Sequence, residues 1–234
     1  MTVIVVPYHQ DERLSDGAIP LPLTGDVRVL APELPAGDIW SRLAALDNAA
    51  ADQIAAALGD DGPTAVVSGD CLVAMAALAG AQRAGVDPGI VWFDAHGDVH
   101  TLDTTTSHYL GGLALRLILG AHPELLARPL GLQPVAEDRT LLVGARDLDP
   151  AETEYLQTSA ACCSRRRVGP RRPIAPTGGS RQTPVTLGWP FSRWPTKRCD
   201  QEGSVLAVTV RSYQPPEPCS GSALNTAERG ERTV

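Results

Sequence analysis

Four polar side chains at alternate positions, Asp94, His96, Asp98 and His100, follow the apolar run Ile90-Val91-Trp92-Phe93 in the stretch GIVWFDAHGDVHT. Two carboxylates and an imidazole in step make a hard, anionic ligand set suited to a divalent cation such as Mn²⁺. The plain alternative is a strand that ends in a solvated acidic turn. A dry strand in front and glycines around it favour the metal reading, because ligands in open α/β sheets gather outside the carboxyl ends of the strands.

The elements that must position these residues can be read from hydrophobic pattern. The run 90–93 is β-branched and aromatic without alternation, as in a strand buried on both faces. Thr2 to Tyr8 reads as a first buried strand ended by Pro7, and residues 9–35 read as a long loop crossing the mouth of a site. Asp38 can cap a helix to about Leu58 with Ile39, Leu43, Leu46 and Ile54 on one side. Thr64 to Ser68 is a strand, Gly69-Asp70-Cys71 a turn, and Leu72 to Ala84 an Ala-rich helix. Helical pieces follow at Leu113 to Leu119 and Pro123 to Leu130, then a buried strand at Thr140 to Ala145. Pro150 suits the first turn of a helix through Leu156. Strands alternating with helices imply right-handed crossovers and a mainly parallel sheet, an α/β fold.

Length permits one such domain, since the 234 residues suffice for a substantial core at a hydrophobic fraction of 43%. No apolar stretch is long enough to span a bilayer, and MTVIVVPYHQDE lacks a basic start and a cleavage site, so no membrane role and a cytoplasmic location are expected.

Charge divides the chain. Residues 1–158 carry 8 basic and 22 acidic side chains, a net of −14, whereas residues 159–234 carry 12 and 5, a net of +7. The first part reads as the α/β metal-site domain and the second as a basic Pro/Gly/Arg-rich tail. Apart from the short Ser204 to Val210, the tail has no helical or strand period. Its arginine clusters at 165–167 and 171–172 could contact nucleic acid, it could be a disordered extension, or it could be an out-of-frame translation. Abrupt loss of pattern inside an unfinished fold favours the third reading, and the strongly acidic folded part argues against a nucleic-acid partner. Cys162, Cys163, Cys199 and Cys219 match no zinc spacing and read as incidental thiols.

Taken together, SGDC at 68–71, DAHGD at 94–98, TTTSHYLGG at 104–112 and GARDLDPAE at 144–152 resemble the arginase and agmatinase ureohydrolases, collinearly over about residues 64–158. The resemblance implies a three-layer α/β/α fold, incomplete here on its C-terminal side, and a homo-oligomer. It also implies two Mn²⁺ ions bridged by a hydroxide that attacks a guanidinium carbon and releases urea. Carried over by position, Asp94, His96 and Asp98 are metal ligands, and Asp98 also holds the hydroxide as a catalytic group. His100 and Ser107 fall where the substrate's α-carboxylate is bound and Asp149 where its α-amino group is bound, which implies an amino-acid substrate.

Three positions depart from the family pattern. Cys71 stands where GGDH supplies a histidine ligand, and as a softer donor it would shift the site towards Zn²⁺ if it ligates, its other reading being a small buried residue. Gly111 stands at the family's histidine proton shuttle, with His108 three residues earlier as a candidate stand-in. The downstream aspartate pair is missing, since Asp200 is the last aspartate after Asp149. One ion or none is then expected. The competing functions are a urea-releasing, manganese-dependent hydrolase of a guanidino or amidino compound, an inactive metal-binding remnant of that family, and a nucleic-acid binder acting through the basic tail.

Overall fold

A computed structural model describes residues 1–19, 23–59, 63–164 and the strand at 205–208. Nine strands and five α-helices alternate among them: β1 (Thr2–Val6), β2 (Tyr8–His9), β3 (Glu12–Arg13), β4 (Asp26–Val29), α1 (Ile39–Gly59), β5 (Thr64–Ser68), α2 (Val73–Arg83), β6 (Gly89–Phe93), α3 (Ala114–Ile118), α4 (Ala127–Leu130), β7 (Thr140–Val143), α5 (Pro150–Thr158), β8 (Cys162–Ser164) and β9 (Val205–Val208). Two parallel sheets result, in the orders β4-β1-β5 and β8-β7-β6-β9, with a small antiparallel pair β2-β3. The expected α/β class with parallel strands and covering helices is therefore what the chain forms.

Local chemistry explains the elements. The Asp38 carboxylate accepts the N–H groups of Trp40 and Ser41 at 2.9 and 3.1 Å, which satisfies the exposed donors at the start of α1. Helix α2 has no side-chain cap, and small residues let it approach α1 closely. Gly131, with φ 68, terminates α4 in the left-handed conformation.

Two apolar clusters hold the molecule. One joins Leu78, Met75, Trp92, Leu113, Leu115 and Leu142 around β6 and α2. The other joins Ile4, Val6, Tyr8, Leu46 and Ile54 with Ala76 and Ala77, so that α2 contributes to both.

The structure differs from the sequence reading within the stretch 9–35. Residues 9–35 are not loop throughout: Asp26–Val29 runs parallel beside β1 as an edge strand. Its four residues are short, and Val27 and Val29 face solvent at 38% and 64% exposure, so no burial pattern announced it. In the same stretch Glu12–Arg13 pairs antiparallel with Tyr8–His9, and the Gln10 N–H between them is held by Asp70. Beyond α5, β8 pairs with β7 and β9 with β6, and β9 falls within the short apolar run read at 204–210. The readings made of the rest of the tail, including its arginine clusters and an altered frame, lie outside the described residues. Among the described residues no helix is long and apolar enough to cross a membrane.

Candidate functional site

Strands β5 and β6 both deliver their following residues to one place. Beyond β5 the chain turns through Gly69 and Asp70 to Cys71, just before α2. Beyond β6 it passes Asp94, whose N–H is held by the Val143 carbonyl of β7 at 3.2 Å, and then bends to Asp98. Single ligand atoms of Cys71, Asp94 and Asp98 all lie within 4.8 Å of one another. Cys71 and Asp98 are buried at 3% and 5% exposure.

Asp98 reaches this cluster through an unusual backbone. Its φ of 52 places a non-glycine residue in the left-handed region. The carboxylate then accepts the Trp92 indole N–H at 3.2 Å and a hydrogen bond from the Cys71 thiol. Burial, and next the charge of Asp94, push its carboxyl up to about 7. Burial also pushes the Cys71 thiol up, reinforced by Asp98, Asp94 and Asp70. Concentrated negative charge in a dry place is costly alone, and a divalent cation would relieve it and favour the thiolate. The donor set of one sulfur and two carboxylates fits one such ion.

His96 lies outside the three-atom group but touches it through Asp94. Its Nδ1 lies 3.1 Å from Asp94 Oδ1, its Nε2 lies 3.8 Å from Asp147, and its side chain is 53% exposed. The alternation of the sequence is a strand property, and β6 ends at Phe93, so the spacing no longer sets side-chain direction beyond it.

The expected substrate-side residues form a second group. His100 is buried, with Nε2 3.0 Å from Asp149 Oδ2 and Nδ1 3.1 Å from Thr104 Oγ1. Ser107 is exposed and its hydroxyl accepts the Tyr109 N–H at 3.3 Å. His108 is exposed at φ 57. Asp149 and His100 thus meet, whereas Ser107 and His108 lie on the open loop.

Three contributors were given no role in the sequence reading, although each lies within a quoted motif: Asp70 in SGDC, Tyr109 in TTTSHYLGG and Glu152 in GARDLDPAE. Tyr109 stacks on His9 with ring centroids 5.7 Å apart, and a Cβ on Gly111 would lie 2.5 Å from its ring, so the phenol occupies the room of the missing side chain there. Burial, followed by Asp70, Cys71, Asp98 and Asp94, pushes that phenol up. Asp70 is buried and holds the Leu72 N–H at 2.8 Å and the Gln10 N–H, which locks β2 and β3 against the turn carrying Cys71. Glu152 on α5 is buried beneath the loop that carries Asp98. Its spacing from Asp149 matches a capping box, the one sequence signal that could have drawn notice to it.

Comparison with known proteins gives a consistent result. The family model described as "Arginase family" matches residues 18–177. Arginase of Bacillus subtilis (strain 168) is 36% identical over 95 residues, 40% of this chain and 32% of that protein. N(omega)-hydroxy-L-arginine amidinohydrolase of Streptomyces lavendulae is 34% identical over 97 residues, 42% of this chain and 34% of that protein. The matched stretch thus spans about one third of the length of these relatives. Among solved structures, arginase from Bacillus cereus superposes with a TM-score of 0.58 at 24% identity, covering 69% of this chain and 62% of that one.

Proposed function

The chain belongs to the arginase family, and on that premise we propose that it is a metal-dependent hydrolase of a guanidino compound, acting through Cys71, Asp94 and Asp98. The observation that carries this reading is the convergence of those three ligand atoms within 4.8 Å at the ends of two parallel strands. A divalent cation there, Mn²⁺ by family habit or Zn²⁺ by the preference of a sulfur donor, would supply Lewis acidity for attack of water on the guanidinium carbon. The oxygen of water ends on that carbon, the C–N bond to the rest of the substrate breaks, and a proton goes to the departing amine.

The chain's own residues supply the rest. The carboxylates of Asp70, Asp94 and Asp98 attract a cationic guanidinium. Without the cation, burial and the charge of Asp94 push the Asp98 carboxyl up to about 7, and ligation would hold it as the carboxylate. By the family resemblance, His100 and Ser107 would contact an amino acid's α-carboxylate and Asp149 its α-amino group, a reading supported by the 3.0 Å approach of His100 to Asp149. The relatives named above act, by their names, on arginine and on N(omega)-hydroxy-L-arginine, and both belong among the trial substrates. A homo-oligomer accompanies this reading as a family expectation and a cytoplasmic location as the expectation from the sequence.

One observation favours a second reading, a metal-binding protein without turnover. The space beside Gly111 is filled by Tyr109, so no histidine occupies the family's proton-shuttle position. The deciding assay offers L-arginine, N(omega)-hydroxy-L-arginine, agmatine and simple guanidino acids to the Mn²⁺-loaded full chain and measures released urea or hydroxyurea. Release that disappears in an Asp94→Ala, Asp98→Ala double variant supports the hydrolase. Metal uptake without release from any substrate favours the second reading and overturns the first.

A further inference from the structure

The backbone of Asp98 is held on both sides by one buried carboxylate. Glu152 Oε1 accepts the N–H of Gly97 at 3.1 Å and that of Val99 at 3.4 Å. The other oxygen, Oε2, accepts the N–H of Asp149 at 3.1 Å. Glu152 is 3% exposed and lies 53 residues from Val99 in sequence, so helix α5 brings it beneath the loop from outside.

Each part of this arrangement has a physical consequence. A left-handed conformation is unfavourable for a residue with a Cβ and persists only where the surroundings impose it. Two N–H donors flanking Asp98 and converging on one charged acceptor impose it here, since hydrogen bonds to a charged group are the stronger kind. Gly97 leaves the room for that contact: a Cβ there would lie 2.8 Å from Glu152 Oε1. The same carboxylate fixes the Asp149 backbone, and the Asp149 side chain meets His100. One side chain therefore sets the positions of a member of the acidic cluster and of the His100–Asp149 pair together.

We propose that Glu152 is a positioning residue that fixes Asp98 for metal binding and ties the metal loop to the His100–Asp149 pair, without itself touching metal or substrate. The proposal rests on the metal reading given above, and its test separates the two. Binding of Co²⁺ to the metal-free full chain is measured for wild type and for Glu152→Gln, Glu152→Asp and Tyr155→Phe, at a temperature where circular dichroism shows each folded. Gln keeps an oxygen at the same reach, whereas Asp keeps the charge and is one methylene short.

Loss of an outer-shell partner weakens metal binding by about 10-fold to 100-fold, and Glu152→Asp is expected in that range, with a smaller loss in Glu152→Gln, which keeps the oxygen for Gly97 and Val99 but loses the charge and the acceptor for the Asp149 N–H. Tyr155 lies on the same helix as Glu152 and donates its hydroxyl to Glu137 of the turn at 137–139, so Tyr155→Phe lowers thermal stability and leaves Co²⁺ affinity at the wild-type level. Wild-type affinity in Glu152→Asp, or an equal loss in Tyr155→Phe, overturns the proposal. If wild type takes up no Co²⁺, the metal reading fails, and amide exchange at Gly97 and Val99 decides the role of Glu152 alone. Exchange accelerated at both amides in Glu152→Asp but not in Tyr155→Phe supports the clamp, and unchanged exchange refutes it.

Discussion

Strands β5 and β6 differ sharply in how they are held, although each supplies part of one cluster. β6 is paired on both edges, by β7 and β9, and buries Ile90, Val91 and Trp92. β5 is paired with β1 alone among the described residues, and all five of its residues are half-buried. No strand pairing links the two sheets among the described residues. Cys71 nevertheless meets Asp94 and Asp98 across that seam. The difference teaches that the cluster depends on helix packing rather than on a shared hydrogen-bond ladder. Helix α2 follows Cys71 directly, leads into β6, and packs with both apolar clusters.

The largest expected effect falls on the β6 side. Trp92 is fully buried and its indole N–H reaches Asp98, so Trp92→Ala should lower unfolding free energy by about 3–5 kcal/mol in denaturant titration. Trp92→Phe keeps most of the volume and loses the N–H, and should cost roughly 1 kcal/mol. An equal loss from both would locate the effect in the hydrogen bond and not in packing.

On the β5 side the sensitive point is Gly80, where α2 crosses α1. A Cβ there would lie 2.7 Å from Ile54 Cβ and 2.8 Å from the Ala51 carbonyl oxygen. An alanine ordinarily favours a helix over glycine, yet Gly80→Ala should destabilise by about 1–3 kcal/mol because the two helices must part. It should also weaken metal binding through Cys71. Stability lost with affinity intact would break the link between helix packing and the cluster.

Asp47 on α1 gives a smaller, pH-dependent effect. It is buried, its Oδ2 has no partner, and burial followed by the charge of Asp70 raises its carboxyl well above the ordinary range. A carboxyl raised in the folded state is worth most at low pH, and its stabilisation is lost as pH rises from the unfolded value through the folded one. Asp47→Asn should therefore gain roughly 1 kcal/mol over wild type at alkaline pH and little near pH 4, read from denaturant midpoints at the two pH values. A gain independent of pH would mean that Asp47 does not titrate over that range. Smallest of all, Val29→Lys on the exposed edge strand β4 should change stability by less than about 0.5 kcal/mol. It should reduce concentration-dependent self-association, because a charge on an edge opposes strand addition.

The same contrast explains what the sequence disclosed. Dry runs such as Ile90–Phe93 and Thr140–Val143, broken by Pro and Gly, identified the parallel strands β6 and β7, although Phe93 at the end of β6 is 46% exposed and β7 is only half-buried at Leu141 and Val143. Asp94 and Asp98 were legible because two carboxylates directly after a strand are a local feature. The turn of His96 towards Asp94 and Asp147 was not, since its direction follows from the bend after Phe93. Nor was the role of Glu152 or Tyr109, whose telling partners, the Gly97 and Val99 N–H groups and the His9 ring, lie on other elements. Edge strand β4, short and with both valines exposed, left no pattern to read.

The most direct test of the central claim is the absorption spectrum of the metal-free full chain titrated with Co²⁺. If Cys71, Asp94 and Asp98 hold one divalent cation across the seam, a single ion binds with a sulfur-to-metal charge-transfer band. That band then disappears in Cys71→Ser, and uptake is lost in the Asp94→Ala, Asp98→Ala variant. No uptake, or uptake with a spectrum unaltered by Cys71→Ser, would contradict it.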